Sequence, residues 1–237
     1  MNVLIKNCKV EILTGTETLA ISGKTNCCGA GNAPAENSVG VIGENRVYTL
    51  AGFMANRDKV EIGDRVKLPA FTVPAAKMDG KTVMDFDELH IKADEAIVVG
   101  KDEKENFILV FDHCLFQSAV DLNGEKRFEM TQLGQYLQSK FLRAMNGAGI
   151  PAESCGLISN DEMFGDNRLE YFKNGRNRVA FDFDDDDSKW YWLSTPYEPE
   201  VASGARFCLA NFDGNSNSTV ASHANGRVRP RFVIRSI

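Results

Sequence analysis

The stretch AIVVGKDEKENFILVF, residues 96–111, carries the strongest fold signal in the chain. Two apolar runs, AIVVG and FILVF, flank the charged segment KDEKEN. Short apolar runs on either side of a polar turn are typical of the two strands of a β-hairpin. We therefore predict that residues 96–111 form a β-hairpin.

A long helix is predicted after this hairpin, in TQLGQYLQSKFLRAMNGAG, residues 131–149. Thr131 can cap its first turn and Gly147 can end it. Apolar side chains that fall near one face of this helix are Leu133, Tyr136, Leu137, Phe141 and Met145. A stripe of this kind is typical of a helix packed on a core, so we interpret it as core packing.

The next segment, SNDEMFG at residues 159–165, predicts a second, short helix. Ser159 stands three residues before Glu162, which is the spacing of a capping box. Gly165 then marks the end of the helix.

The order of the elements places the chain in the α+β class. Residues 1–57 contain short apolar runs such as VLIKNCKVEIL and RVYTLAGFM, and the C-terminal part returns to runs such as WYWLST, ARFCLANFDG and RVRPRFVIRSI. Strands followed by helices and then by strands again fit α+β better than alternating β-α units. We predict a β-rich N-terminal segment at 1–57 and a main domain at 58–237.

Composition and charge exclude several function classes. The chain has 237 residues, of which 43% are hydrophobic, and a net charge of −6 with a pI near 5.2. Apart from four arginines between 227 and 235, the basic residues are scattered, so we expect no nucleic-acid partner. Charged residues interrupt the first twenty positions, so we expect neither a signal peptide nor membrane insertion, and we expect synthesis in the cytoplasm.

The cysteines give no clear metal signal. Six are present, and none are spaced Cys-x-x-Cys, the spacing that is common in zinc sites. We expect reduced and mostly buried thiols, although the adjacent Cys27 and Cys28 leave a redox or metal role open.

Four short motifs resemble those of an uncharacterised domain family of bacteria and their phages. The family motifs are L-x-x-W-L-N-x-x-F, S-x-x-E-x-F-G, W-W-L-R-S-P and G-V-R-P-A. The matching positions here are Leu133, Tyr136, Leu137 and Phe141, then Ser159, Glu162, Phe164 and Gly165, then YWLSTP at 191–196, and VRPRF at 228–232. The resemblance extends from about Val60 to the end of the chain.

That family is similar in its C-terminal pattern to the C-type-lectin-like fold of the formylglycine-generating-enzyme group. The resemblance implies a mixed sheet core with two helices and a large loop surface. Three departures are Tyr191 for the first Trp, Ser194 for the Arg, and Arg231 for the small residue after Pro230. The copper-binding enzymes of the group need two late cysteines, and only Cys208 lies in the last fifth of this chain, so oxidase chemistry is not expected.

Two stretches are candidate binding surfaces. In DDDDSKWYWLST, residues 184–195, strand alternation places Trp190 and Trp192 on one face and Tyr191 on the other. The resemblance implies that Trp192, at the family motif position, is a core residue. Trp190 and Tyr191 lie nearer the start of the strand, where an aromatic ring could stack on a ligand. The second stretch, NFDGNSNSTVASHANGR at 211–227, concentrates short polar side chains. The candidate ligand-binding residues are Trp190, Tyr191, Asn211, Asp213, Asn215, Asn217, His223 and Asn225.

Both stretches also have plainer interpretations. Asp213-Gly214 and Asn225-Gly226 are strong hairpin-turn signals, so the polar stretch can be two hairpin turns that also present ligand contacts. Asp182 and Asp184–Asp187 offer oxygen ligands for calcium, but the EF-hand glycine and glutamate are absent, and a solvated acidic loop is the alternative. No cofactor is expected, with calcium left open.

The leading function hypothesis is a non-enzymatic ligand-binding or adhesion module for a glycan or protein ligand, in a phage or prophage particle or a surface-recognition system. No H-E-x-x-H or G-x-S-x-G signature occurs, and Asp161 with Glu162 is the nearest candidate for an acid–base pair. The alternatives are a hydrolase or an oxidase relative, and a structural virion or assembly protein that forms a homo-oligomer.

Overall fold

The fold was analysed in a computed structural model of the chain. It describes residues 45–74, 88–185, 187–198 and 204–235 with their side chains, and the backbone of the short strands at 9–10, 21–22, 39–42, 77–78 and 81–82. Most of the N-terminal segment 1–57 therefore lies outside the described residues, as do Cys8, Cys27 and Cys28.

Strands dominate the described residues, and they are numbered here in chain order. Those before the long helix are β1 Lys9–Val10, β2 Ile21–Ser22, β3 Val39–Ile42, β4 Asn45–Thr49, β5 Arg65–Leu68, β6 Phe71–Pro74, β7 Lys77–Met78, β8 Lys81–Thr82, β9 Glu88–Ile91, β10 Asp94–Lys101, β11 Phe107–Phe111 and β12 Phe116–Gln117. Those after it are β13 Ala152–Gly156, β14 Ala180–Phe181, β15 Ser188–Lys189, β16 Tyr191–Pro196, β17 Arg206–Ala210, β18 Ser216–Val220, β19 Arg227–Val228 and β20 Arg231–Ile234.

Two sheets organise these strands. The larger has the order β13-β20-β11-β10-β5-β4-β3, and the smaller has the order β12-β19-β16-β17-β18. The predicted hairpin at 96–111 is confirmed as β10 and β11, with Ala96 opposite Phe111. The C-terminal strand β20 lies between β11 and the edge strand β13, so it is paired on both sides within the larger sheet.

Helices are fewer and shorter. They are α1 Leu50–Ala55, α2 Gln132–Tyr136, a π-helical segment Leu137–Phe141, α3 Leu142–Gly147 and α4 Asn160–Phe164, with 3-10 turns at Arg57–Lys59, Phe128–Met130, Glu170–Lys173 and Gly175–Arg178. The predicted long helix is confirmed as α2, the π-helical segment and α3 in succession. No helix of the described residues is long and apolar enough to cross a membrane.

Local sequence explains how these helices begin. The Thr131 hydroxyl accepts a hydrogen bond from Gly134 N at 3.0 Å, and Ser159 and Glu162 form the predicted capping box. Within the long helix the Ser139 hydroxyl donates to Gln135 O at 2.6 Å, beside the π-helical turn. The five side chains of the predicted stripe are all buried in the core. The mixture of sheets and helices confirms the α+β class.

The larger sheet is covered on both faces by apolar side chains. Alternate residues of β10 and β11 belong to two separate clusters of buried residues. The first core cluster contains Ala96, Val98, Phe107, Leu109 and Phe111 together with the stripe of the long helix. The second contains Ile97, Val99, Ile108 and Val110 together with Met163, Phe172, Tyr191 and Leu193. Residues 45–57 belong to the same body, because β4 pairs with β5 and Phe53 lies in the first core cluster.

Trp192 is a core residue, as the resemblance implied. It is fully buried in the first core cluster, and its indole Nε1 donates to Ser118 O at 2.8 Å. Gly226 lies directly against the indole, so that a Cβ at this position would overlap Nε1. The buried thiols Cys114, Cys155 and Cys208 are free, as predicted.

Two sequence predictions were wrong. The run RVYTLAGFM was assigned to a strand, but it changes from β4 to α1 at Leu50, because Thr49 Oγ1 caps the helix by accepting from Gly52 N at 3.0 Å. The dipeptide Asn225-Gly226 was read as a hairpin turn, but β19 pairs with β12 and β16 rather than with β18. Residues 221–226 therefore connect two strands that are not neighbours in the sheet.

Two buried tyrosines form a matched pair for a stability test. The Tyr136 hydroxyl is buried and has no hydrogen-bond partner among the described residues, whereas the Tyr191 hydroxyl donates to Arg178 O at 2.6 Å. We expect Tyr136→Phe to leave the free energy of unfolding unchanged or to raise it by up to about 1 kcal/mol, and Tyr191→Phe to lower it by about 1–2 kcal/mol. Urea unfolding of both variants measures the difference. Equal losses of stability in the two variants would contradict this account of Tyr136.

A second test concerns the close contact at Gly226. Gly226→Ala would push the Trp192 indole away from Ser118 O, and we expect a loss of about 2 kcal/mol in the free energy of unfolding. Gly175→Ala is the control, because its new Cβ would meet nothing within 4 Å, and it should change stability by less than about 0.5 kcal/mol. Urea unfolding followed by tryptophan fluorescence reports both values, and an unchanged Gly226→Ala midpoint would refute the steric argument.

Candidate functional site

A polar cleft of about 370 Å³ lies where three separate chain segments meet the start of β19. His90 and Lys92 come from the end of β9, Gln117 comes from β12, and Arg227 begins β19. The fourth contribution is the acidic segment 182–185, which follows β14. We call this set the polar cleft.

Main-chain hydrogen bonds hold these segments together. Cys114 N donates to Phe181 O at 2.8 Å, which joins the chain after β11 to the chain before the acidic segment. Leu115 N donates to Val228 O at 2.9 Å, and Gln117 lies opposite Arg227 in the sheet. The cleft is therefore built on paired backbone, although its side chains are distant in sequence.

Each described aspartate of the acidic segment that lines the cleft is paired with a basic side chain. Arg227 Nε donates to both Asp182 oxygens, at 2.9 and 3.1 Å, and Lys92 Nζ lies 2.8 Å from both Asp184 oxygens. Lys189 donates to Asp185, and this hydrogen bond lowers the pKa of the Asp185 carboxyl. Each of the three aspartates thus has a basic partner, and Lys189 is the one partner that does not itself line the cleft.

This pairing bears on the calcium alternative. A calcium site needs several carboxylate oxygens that are free to converge on one ion. Among the described residues, no group of three or more His, Cys, Asp or Glu side chains is arranged to hold a metal ion. Asp186 lies outside the described residues, and calcium binding by the full acidic run stays a prediction.

Phe183 supplies the apolar surface of the cleft. Its ring stacks on His113 with a centroid distance of 4.5 Å and an interplanar angle of 16°. His113 is in turn oriented by a 2.8 Å hydrogen bond from Nδ1 to the buried carboxylate of Asp94. Lys92 Nζ lies 5.8 Å from the Phe183 ring centroid. Contacts with His113 and with Lys92 of the cleft therefore hold the Phe183 ring in place.

Cys114 lies in the wall of the polar cleft but is not a ready nucleophile. It is buried, and burial raises its pKa to about 12, so the thiol stays protonated at neutral pH. The neighbouring His113 is bonded to Asp94, and its ring stacks on Phe183. The raised pKa of the Cys114 thiol and the contacts of the His113 ring with Asp94 and Phe183 therefore disfavour a Cys-His nucleophilic pair.

Three of the predicted ligand-binding residues lie at the edge of the polar cleft. Trp190 is half-buried and packs edge-to-face on His223, with ring centroids 5.4 Å apart. His223 Nδ1 accepts a hydrogen bond from Asn225 N at 3.3 Å. Asn225 O accepts from Arg227 Nη1 at 3.2 Å, and this bond connects the group to the cleft.

Tyr191 does not fit its predicted role. The prediction placed it on an exposed rim, but it is 2% exposed in the second core cluster. Its hydroxyl donates to Arg178 O, and burial raises its pKa to about 12. The physical reason is that residues 160–180 cover the second face of β16. Tyr191, which points to that face, is therefore buried as Trp192 is on the first face.

The remaining predicted residues lie on the β17–β18 hairpin. Asn211, Asp213 and Asn215 form its tip, where the Asp213 carboxylate accepts hydrogen bonds from Asn215 N and Nδ2, both at 3.0 Å. These hydrogen bonds from Asn215 lower the pKa of Asp213. Asn217 is exposed on β18, and its side-chain oxygen accepts from Ser218 N at 2.8 Å. Asp213, Asn215 and Asn217 thus use their side chains for hydrogen bonds within the hairpin itself.

Several cleft residues were missed by the sequence analysis. Lys92 and Gln117 carry no local motif, and Lys92 pairs with an aspartate 92 positions later in the chain. The acidic run was the one available signal. It indicated an unusual concentration of charge but not the basic residues that neutralise it.

Comparison with known proteins gives one match. Residues 152–236 match the model of a family described as a domain of unknown function, DUF6273. The matched region is less than half of the chain and contains the acidic segment and Arg227 of the polar cleft. No curated protein and no solved structure matches the chain. The C-terminal part is thus similar to an uncharacterised domain, as the sequence resemblance led us to expect for this region.

Proposed function

We propose that the protein is a non-enzymatic binding module whose polar cleft holds an uncharged, polyhydroxylated ligand such as a sugar unit of a glycan. The observation that carries this proposal is the ion pairing of the cleft aspartates, since Asp182, Asp184 and Asp185 each have a basic partner. An ionic ligand would have to break one of these pairs, whereas a neutral ligand would not.

The chemistry of the paired groups suits hydroxyl groups. A carboxylate that accepts from one basic side chain keeps further lone pairs, and hydrogen bonds to ionised groups are stronger than neutral ones. Gln117 adds an amide that can both donate and accept. Phe183 adds apolar surface, so that the cleft combines a few placed polar groups with a nonpolar wall.

Two features favour binding over catalysis. The Cys114 thiol is protonated because burial raises its pKa, and the lowered pKa of Asp185 makes its carboxyl a poor general acid at neutral pH. A hydrolase of glycosidic bonds would need one carboxyl with a raised pKa. A hydrolase or an oxidase is therefore the weaker proposal for this cleft.

We propose the C-type-lectin-like fold as the finer description of the main domain. The support is the two-sheet core with its long helix and the α4 turn, and the C-terminal strand β20 inserted between β11 and β13. An adhesion role in a phage or prophage particle is the proposed setting, supported by the four sequence motifs. A structural role in a virion, with the protein as a homo-oligomer, is the alternative setting.

A glycan array tests the proposed ligand class. We expect the purified protein to bind at least one uncharged glycan, and Asp182→Asn to weaken that binding about tenfold, because Arg227 loses its charged partner and turns toward the ligand space. Asn215→Ala, on the hairpin tip, is the control and should change the affinity by less than about twofold. Titration calorimetry with the best glycan measures both variants.

The same measurement has clear contrary outcomes. An array without any signal above background would reject the proposed ligand class. A loss in Asn215→Ala as large as that in Asp182→Asn would place the ligand on the hairpin tip instead of in the polar cleft.

A chelator separates the two interpretations of the acidic run. Because the cleft aspartates are paired with Arg227, Lys92 and Lys189, we expect glycan affinity to be the same in EDTA and in calcium. Titration calorimetry under the two conditions checks this expectation. A tenfold loss in EDTA that calcium restores would show instead that the acidic run binds calcium with the ligand.

A further inference from the structure

A second cavity lies on the edge of the larger sheet, away from the polar cleft. It has a volume of about 670 Å³ and shares no lining residue with the cleft. One long side is residues 153–157, which comprise most of β13 and the residue after it. We call this cavity the edge groove.

The groove follows the edge of β13 and not its face. Side chains of a strand alternate between its two faces, so a cavity on one face would be lined by every second residue. Here five consecutive residues, 153–157, line the groove. The groove therefore runs along the edge of β13, where Glu153 and Ser154 are exposed, Gly156 is half-buried, and Cys155 and Leu157 are buried.

This edge has no partner strand within the described part of the chain. β13 is the terminal strand of the larger sheet and pairs with β20 on its other side. Half of the main-chain N–H and C=O groups of an edge strand point away from the sheet and can pair with an added strand. The edge groove thus offers the hydrogen-bonding groups that an extended peptide needs.

Apolar side chains flank this edge. Leu142 of α3, Phe128 and Pro196 all line the groove. Met130 and Tyr197, which are sequence neighbours of lining residues, are among the most exposed large apolar residues, at 47% and 45%. An added strand would therefore find apolar surface for alternate side chains beside the open edge.

The charges around the groove cancel. Its charged lining residues are three basic and three acidic: Lys126, Arg127, Arg231, Glu129, Glu153 and Glu198. Lys126 pairs with Glu198 at 3.4 Å, Arg231 pairs with Glu162 at 3.3 Å, Arg127 pairs with Glu125, and Glu153 pairs with Arg235. A charged peptide would meet no complementary field, so an uncharged segment fits best.

We propose that the edge groove binds an extended, uncharged segment of a partner polypeptide, which adds to β13 as a further strand of the larger sheet. Main-chain hydrogen bonds supply the affinity in this mode, and pockets for alternate side chains supply the selectivity. Residues 153–157 correspond to an edge of about 17 Å at about 3.3 Å per residue, which accommodates a segment of about five residues. This site goes beyond the proposed glycan cleft and does not depend on it.

The probe is an array of uncharged heptapeptides built from Val, Ile, Leu, Thr and Ser. Each peptide is paired with a version in which alternate main-chain nitrogens are methylated, since methylation removes the donors that a strand needs. We expect binding by a subset of the peptides and at least a tenfold loss on methylation. Hydrogen exchange of the complex should show slower exchange of amides within residues 153–157.

Ser154→Trp blocks the groove in the intact protein. Ser154 is exposed and lines the groove, so the indole fills the space without entering the core, and we expect the affinity for the best peptide to fall at least tenfold. Ser222→Trp is the matched control, because Ser222 is also exposed and does not line the groove, and it should leave the affinity within twofold. Circular dichroism of both variants verifies folding.

Three results would overturn the proposal. The first is an array in which no peptide binds. The second is binding that methylation or Ser154→Trp leaves unchanged, or binding without protection of residues 153–157. The third is a concentration-dependent dimer that Ser154→Trp abolishes, since the occupant would then be a second copy of this chain.

Discussion

Burial of both faces of the β10–β11 hairpin is the constraint on which the rest of the structure depends. All five residues of β11 are buried, and so are six of the eight residues of β10. An antiparallel sheet can leave one face in water, but a hairpin that is apolar on both faces cannot. The chain after residue 111 must therefore cover both faces. The long helix covers one, and the segment from Met163 to Leu193 covers the other.

Arg229 shows how closely the two layers are joined. Its buried guanidinium donates from Nε to Phe111 O at 2.8 Å, at the end of the central strand. The same group lies 5.6 Å from the centroid of the Tyr191 ring, which belongs to the second core cluster. A buried cation is tolerated when it is hydrogen-bonded and lies over an aromatic face. Arg229 of the VRPRF motif therefore stabilises the contact between the two layers. The polar cleft lies at the same junction, where the chain passes from β11 to β12.

Structural features that depend on residues close together in the sequence were predicted correctly. The hairpin, the Thr131 cap and the capping box of Ser159 and Glu162 each depend on residues a few positions apart, and the structure has all three. Tyr191 shows where local reasoning ends. Alternation correctly separates it from Trp192, but it does not reveal whether the second face of the strand is covered.

The candidate site was predicted less well for the same reason. Trp190, His223 and Asn225 were identified because they belong to unusual local stretches, and the structure brings them together. The cleft beside them depends on Lys92 and Gln117, whose significance arises from pairing with residues far along the chain. The aspartates could be recognised in the sequence as an acidic run, but their basic partners are brought to them by the tertiary fold. The sequence shows which residues are charged and does not show which of them pair.

The edge strands β18 and β13 differ in how they avoid unwanted pairing. β18, the edge of the smaller sheet, is polar, and Asn217 accepts a hydrogen bond from Ser218 N while Arg206 donates to Ser218 O. Side chains of the protein itself thus occupy groups that a foreign strand would need. β13 differs, because its edge lies in a groove whose lining includes Leu142 and Pro196, so access to the edge depends on the shape of this groove. Natural sheets usually protect the edges that bind no partner. An edge that keeps its main-chain hydrogen-bonding groups but lies in a groove is therefore better suited to a selective partner than to solvent.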